Sequence, residues 1–153
     1  MRLRVVETPS DGNCFFHAVK YNGIGIKYTP MELRDMAIEY LRQNPNNSDG
    51  TPWCNFIHGE CWENYLARMK RPDEWVDEVV IRALCEVVDL KVNIISSKGP
   101  KYDVSIVPSK TNYSTYDEEI YIGHYPELHY VALMKMTEMV DGITQEMSES
   151  NNG

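Results

Sequence analysis

The chain has 153 residues, 42% of them hydrophobic and 25% charged, a balance that supports one domain with its own core and leaves no room for two large ones. Its 23 acidic and 15 basic side chains give a formal charge of −8, a field that repels phosphate and argues against a general nucleic-acid or anionic-membrane binder. The longest unbroken apolar run, Tyr130–Met134, falls far short of the roughly 20 residues that a membrane-spanning helix needs.

Taken in chain order, the first informative segment is Pro9–Val19. Ser10, Asp11, Gly12 and Asn13 are all turn formers, and they run directly into Cys14 and the apolar stretch Phe15-Phe16-His17-Ala18-Val19. This pattern predicts a tight turn that becomes a helix at Cys14. Thr29-Pro30-Met31-Glu32 has capping-box spacing with proline at the first helical position. Leu33, Met36, Ala37, Tyr40 and Leu41 then form one apolar helical face, which Asn44–Gly50 ends as a loop. A shorter helix is predicted around Glu60–Met69, with Trp62, Tyr65, Leu66 and Met69 inward. A third keeps the 3.6 period through Val76, Val79, Val80, Ala83, Leu84, Val87 and Val88. Trp53, Trp62 and Trp75 are expected to be core or helix-packing residues.

The second half reads as strands: Val92, Ile94 and Ile95, then Tyr102, Val104 and Ile106, then Glu119–Tyr125 and Leu128–Lys135. Helices first and strands later predict an α+β domain. Residues 1–139 are expected to form it, with 140–153 a polar, flexible tail. No secretory pattern follows Met1, so Cys14, Cys54, Cys61 and Cys85 are expected as free thiols in a reducing, cytoplasmic compartment.

A cysteine at a helix start faces unpaired backbone N–H groups and the positive end of the helix dipole. Both favour a thiolate, so Cys14 is expected to have a depressed pKa. A thiol nucleophile also needs a proton partner that works near neutral pH, and histidine is the natural one. His17 follows Cys14 by one helical turn and is badly placed to share a substrate carbonyl with it. His58 lies in the loop-rich middle. Of the remaining pair, a strand start orients an imidazole better than a Gly/Pro-flanked loop does, which favours His129 over His124. Cys54, His58 and Cys61 fit no standard zinc spacing and lack a fourth ligand, so no metal is expected.

Asp11-Gly12-Asn13-Cys14-Phe15-Phe16 resembles the nucleophile motif of the ovarian-tumour (OTU) family of cysteine proteases, and His129-Tyr130 resembles its histidine motif. Between them, Trp75–Leu84 and Leu90–Ile95 look like that family's central helix and following strand. The resemblance implies a papain-like OTU fold, with helices packed on a small, mostly antiparallel sheet. It implies thiol hydrolysis of the isopeptide bond after the C-terminal Gly-Gly of ubiquitin or a ubiquitin-like modifier, without metal or cofactor. Cys14 would be the nucleophile and His129 the general base and acid. Asp11 would count with the catalytic set, and the backbone N–H groups of Asp11 and Cys14 would form the oxyanion hole. The implied partners are the modifier and its conjugated proteins, met by a monomer, with Glu127 and Leu128 against the arginine-bearing modifier tail.

One position departs from the family pattern. Many members carry Asp or Asn two residues after the histidine, and here that residue is Val131. The orienting role is open to Asp11, Glu7, Thr8 or Asn93, or it goes unfilled. Asp11→Ala is expected to lower turnover strongly. The rival readings are an inactive ubiquitin-binding module of the same fold and a protease that processes a viral or cellular polyprotein.

Overall fold

A computed structural model describes residues 2–7, 11–22, 27–109, 119–125 and 129–135. The turn at 11–13 does pass straight into a helix, α1 (Cys14–Asn22), which buries Cys14, Phe15, Phe16, Ala18 and Val19. Helix α2 (Pro30–Gln43) starts on the predicted capping box. Thr29 Oγ1 accepts the Glu32 N–H at 3.1 Å, and the Glu32 carboxylate accepts the Thr29 N–H at 3.2 Å. Its buried face is Leu33, Arg34, Ala37, Ile38 and Leu41, so the face is turned from the predicted one to include Ile38 and a fully buried arginine. Helix α3 (Trp62–Met69) is followed by α4 (Glu78–Val88). Asp77 caps α4 by accepting the Val80 N–H at 3.2 Å, so the helix begins two residues after Val76, although Val76 is still buried.

The strands are β1 (Leu3–Val6), β2 (Lys91–Ser96), β3 (Val104–Ile106), β4 (Glu119–Tyr125) and β5 (His129–Lys135). They form one sheet in the order β1-β5-β4-β2-β3, antiparallel throughout except for the parallel pair β2–β4. The fold is α+β with a mostly antiparallel sheet, as expected. Helix α1 lies on β5 and β4 and also touches α2, which in turn packs on α4. This layering joins Phe15, Phe16, Ile38, Leu84, Ile122 and Ala132 in one core. Burying the larger of these side chains contributes about 1.5–3 kcal/mol each, and this packing holds the N-terminus of α1 against the sheet.

Three expectations need correction. Strand β1 was not foreseen, because four residues with arginine inside them, Leu3-Arg4-Val5-Val6, carry too little alternation to identify a strand alone. Tyr102 belongs to a 3-10 turn (Pro100–Tyr102) rather than to a strand, and its ring is exposed. Trp75 is 44% exposed and not a core residue: in the non-helical stretch before the Asp77 cap it is Val76 that turns inward. Glu127 and Leu128 lie outside the described residues.

Candidate active site

The turn before Cys14 is built from its own side chains. Asp11 Oδ1 accepts the Asn13 N–H at 2.9 Å, and the Asp11 carbonyl accepts the Cys14 N–H at 3.1 Å. The Asn13 carbonyl then accepts the His17 N–H at 2.9 Å, which opens the helix. Gly12 has to be glycine. A Cβ there would sit 2.3 Å from the Pro72 carbonyl oxygen and 2.6 Å from the Asp73 Cα, both backbone atoms. The turn therefore lies directly on the segment that follows α3.

Arg34 joins the same two segments. Its Nε donates to Asn13 Oδ1 at 2.7 Å and its Nη2 to the Gly12 carbonyl at 2.7 Å. On the other side Nη1 donates to the Met69 carbonyl and Nη2 to the Glu74 carbonyl, each at 2.6 Å. The guanidinium carbon stands 5.0 Å from the centre of the Phe16 ring. Sequence reasoning passed over this residue. The available signal was a charged side chain beside Leu33, three and four positions before the apolar Ala37 and Ile38.

Cys14 is buried, and the Tyr130 N–H donates to its Sγ at 3.4 Å across 116 residues of sequence. The strand that opens with His129 therefore meets the helix that opens with Cys14. The expectation of a depressed Cys14 pKa is corrected. Burial pushes the thiol above its ordinary value, the backbone N–H groups of Tyr130 and Phe15 pull it back only in part, and the Asp11 carboxylate adds to the upward push. The helix-start groups are present, but desolvation outweighs them.

His129 is held from two sides. Its ring stacks on Tyr125, its cross-strand partner, at 5.5 Å between centroids. Its Nε2 is buried without a hydrogen bond and lies 3.6 Å from Glu7 Oε2. Of the described residues considered for orienting it, Glu7 is the one brought there. The Asp11 carboxylate instead faces His17, with Oδ2 3.5 Å from Nε2. The Asn93 amide donates to Glu119 and to the Ile120 carbonyl and accepts the Ser105 hydroxyl. Thr8 lies outside the described residues. Val131 is fully buried on β5. His124 stacks nearly flat on Tyr130 at 4.3 Å, and burial and Lys98 hold it below its ordinary pKa.

The remaining thiols stand apart from this arrangement. Cys54 and Cys61 are free and exposed, and Cys85 is buried in α4. Among the described residues no group of three His, Cys, Asp or Glu side chains comes together as a metal site.

The sequence matches the family described as OTU-like cysteine protease over residues 9–132, from the segment bearing Cys14 into β5. The chain belongs to that family. It is 26% identical over 142 residues to OTU domain-containing protein 4 of Homo sapiens, covering 90% of this chain and 12% of the human protein, so it spans about an eighth of that relative's length. The solved OTU domain of OTUD1 superposes with a TM-score of 0.66 at 15% identity, over 87% of this chain and 86% of that one. An OTU deubiquitinase of Wolbachia pipientis wMel bound to ubiquitin gives 0.61 at 22% identity, over 87% and 96%. At these identities the structures speak to the fold.

Proposed function

We propose that this domain is a thiol-dependent deubiquitinase, hydrolysing the isopeptide bond after the C-terminal Gly-Gly of ubiquitin or a ubiquitin-like modifier. The observation that carries the reading is the Tyr130 N–H on Cys14 Sγ, which puts a buried thiol at a helix start beside the strand start that bears His129. Membership of the OTU-like family supports it, as does the ubiquitin bound in the Wolbachia structure.

Because burial keeps Cys14 a thiol, His129 acts as a true general base rather than as half of a resting ion pair. With Nε2 toward Glu7, Nδ1 on the other side of the ring takes the thiol proton as sulfur attacks the carbonyl carbon. The resulting imidazolium, steadied by Glu7, gives that proton to the leaving amine. A water that loses its proton to His129 then hydrolyses the thioester and regenerates the thiol. The Cys14 N–H, which rests on the Asp11 carbonyl, is released to the tetrahedral oxygen in the transition state, with the Asp11 N–H as second donor. Asp11 serves through the turn it caps, and Glu127 and Leu128 contact the modifier tail.

The test is a ubiquitin carrying a C-terminal electrophile. The wild-type chain should form a covalent adduct that Cys14→Ala abolishes and His129→Ala strongly reduces. A folded wild-type protein that binds ubiquitin without forming the adduct would instead be the inactive binding module.

A further inference from the structure

We infer that Arg34 is a positioning residue for Cys14, its guanidinium serving as a rigid strut that sets the turn at 11–13 against the segment 69–74. The inference rests on the proposed role of Cys14 as nucleophile. Arg34 is completely buried, and its four hydrogen bonds all go to neutral carbonyl oxygens: Gly12, Met69 and Glu74 of the backbone and the Asn13 side-chain amide. Burying a cation without a bound carboxylate costs several kcal/mol, and an apolar side chain of similar volume fills such a place at less cost, so packing alone does not account for an arginine here.

A guanidinium does what leucine or methionine cannot. Its planar fork reaches acceptors on two irregular segments at once and fixes their separation. Both acceptors in the turn sit one or two residues before Cys14. Asn13 is doubly tied, since its side chain accepts from Arg34 while its carbonyl accepts the first helical N–H, from His17. Holding Gly12 and Asn13 therefore holds the first turn of α1, and with it the direction of Sγ toward the Tyr130 N–H. The missing Cβ of Gly12 lets the turn approach close enough for one guanidinium to bridge the gap. The charge has a second use, because the Arg34 guanidinium and a Cys14 thiolate attract one another.

The experiment uses the full chain with Arg34→Lys and Arg34→Met. A lysine keeps the charge but offers one compact ammonium in place of a fork, so it cannot hold both segments. Two readouts are taken: turnover of ubiquitin with a C-terminal fluorogenic amide, and the pH profile of Cys14 alkylation by iodoacetamide, with the site assigned by mass spectrometry. Both variants are expected to show a cooperative melt. Their kcat should fall about 100-fold with KM changed less than about threefold, the signature of a misplaced reacting atom. The alkylation midpoint should move to higher pH in Arg34→Met, which loses the charge, and less in Arg34→Lys, which keeps it. A folded variant whose kcat stays within about threefold of wild type overturns the inference, as does a loss that vanishes once the folded fraction is corrected for.

If neither Arg34 variant folds, Asn13→Ala removes only one acceptor. It should lower kcat about tenfold in a folded protein, and an unchanged kcat is again fatal. Alkylation needs no ubiquitin. An inactive wild type would therefore refute the deubiquitinase reading while leaving the Arg34 inference to be decided on Cys14 itself.

Discussion

On the cysteine side of the site, Asp11, Gly12 and Asn13 each carry a hydrogen bond that ties the turn to itself or to Arg34, and Gly12 touches the backbone of Pro72 and Asp73. On the histidine side, the ring of His129 rests on Tyr125, and its Nε2 faces Glu7 at 3.6 Å, with the Glu7 side chain 77% exposed. One side is bound through buried backbone carbonyls, the other through a ring stack and a solvated carboxylate. Cys14 is thus fixed by the fold, whereas His129 is held by contacts that can adjust.

If that contrast is right, substitutions on the two sides should differ in kind as well as in size. The largest effect is expected from Gly12→Ala. The added methyl meets backbone that cannot rotate away, so the protein should lose roughly 1–3 kcal/mol of stability and most of its turnover, measured by chemical denaturation and fluorogenic hydrolysis. A stable, fully active Gly12→Ala would mean that the turn is not fixed on 72–73. Glu7→Gln, on the adjustable side, should lower kcat about tenfold and leave the melting temperature unchanged, because a pair made with so exposed a carboxylate contributes only ~0–1 kcal/mol to stability. If it instead unfolds the protein, the histidine side is as rigid as the other.

The thiols sharpen the picture through pH. Cys54 and Cys61, free and exposed, should be alkylated first. Cys14 should follow, its rate still rising above the ordinary thiol range. Cys85, pushed up to about 12 by burial, should resist. The sign of the stability change follows. The folded chain keeps protons on Cys14 and Cys85 that the unfolded chain releases. Stability contributed below the ordinary thiol range is therefore lost as pH rises toward about 12, at about 1.4 kcal/mol per pH unit for a fully deprotonating group. Denaturation at neutral and alkaline pH checks this, and a stability that is flat with pH would contradict it.

The smallest effect is expected from Asp11→Asn. It keeps the Asx turn and loses the pair with His17 and the carboxylate's small upward push on the Cys14 thiol, so turnover should stay within about threefold. Asp11→Ala loses the turn as well and should cost about 1 kcal/mol more. A severe loss in Asp11→Asn would mean that the carboxylate itself acts in the chemistry.

What could be read from the sequence was local. The helix start at Cys14, the capping box at Thr29 and the bounds of β4 all follow from residues within one turn or one strand of each other. What could not be read depends on distant partners. Arg34 looks like a surface arginine until Gly12 and Met69 are brought to it. Glu7 remained one option among several until β1 paired with β5 and delivered it to His129. The thiol shift was misjudged for a related reason: helix-start N–H groups are visible in a motif, but the depth of burial that opposes them comes from the whole core.

The pairing of β1 with β5 also sets a timetable. During synthesis the chain releases Cys14 and its helix early, while the imidazole and the amide that meets the sulfur arrive only with residues 129–130, and β1 has nothing to join until β5 emerges. Such distant closures are slow steps in folding. On the proposed mechanism a nascent chain therefore carries an unarmed thiol on the ribosome, and hydrolysis begins only when β5 zips into the sheet.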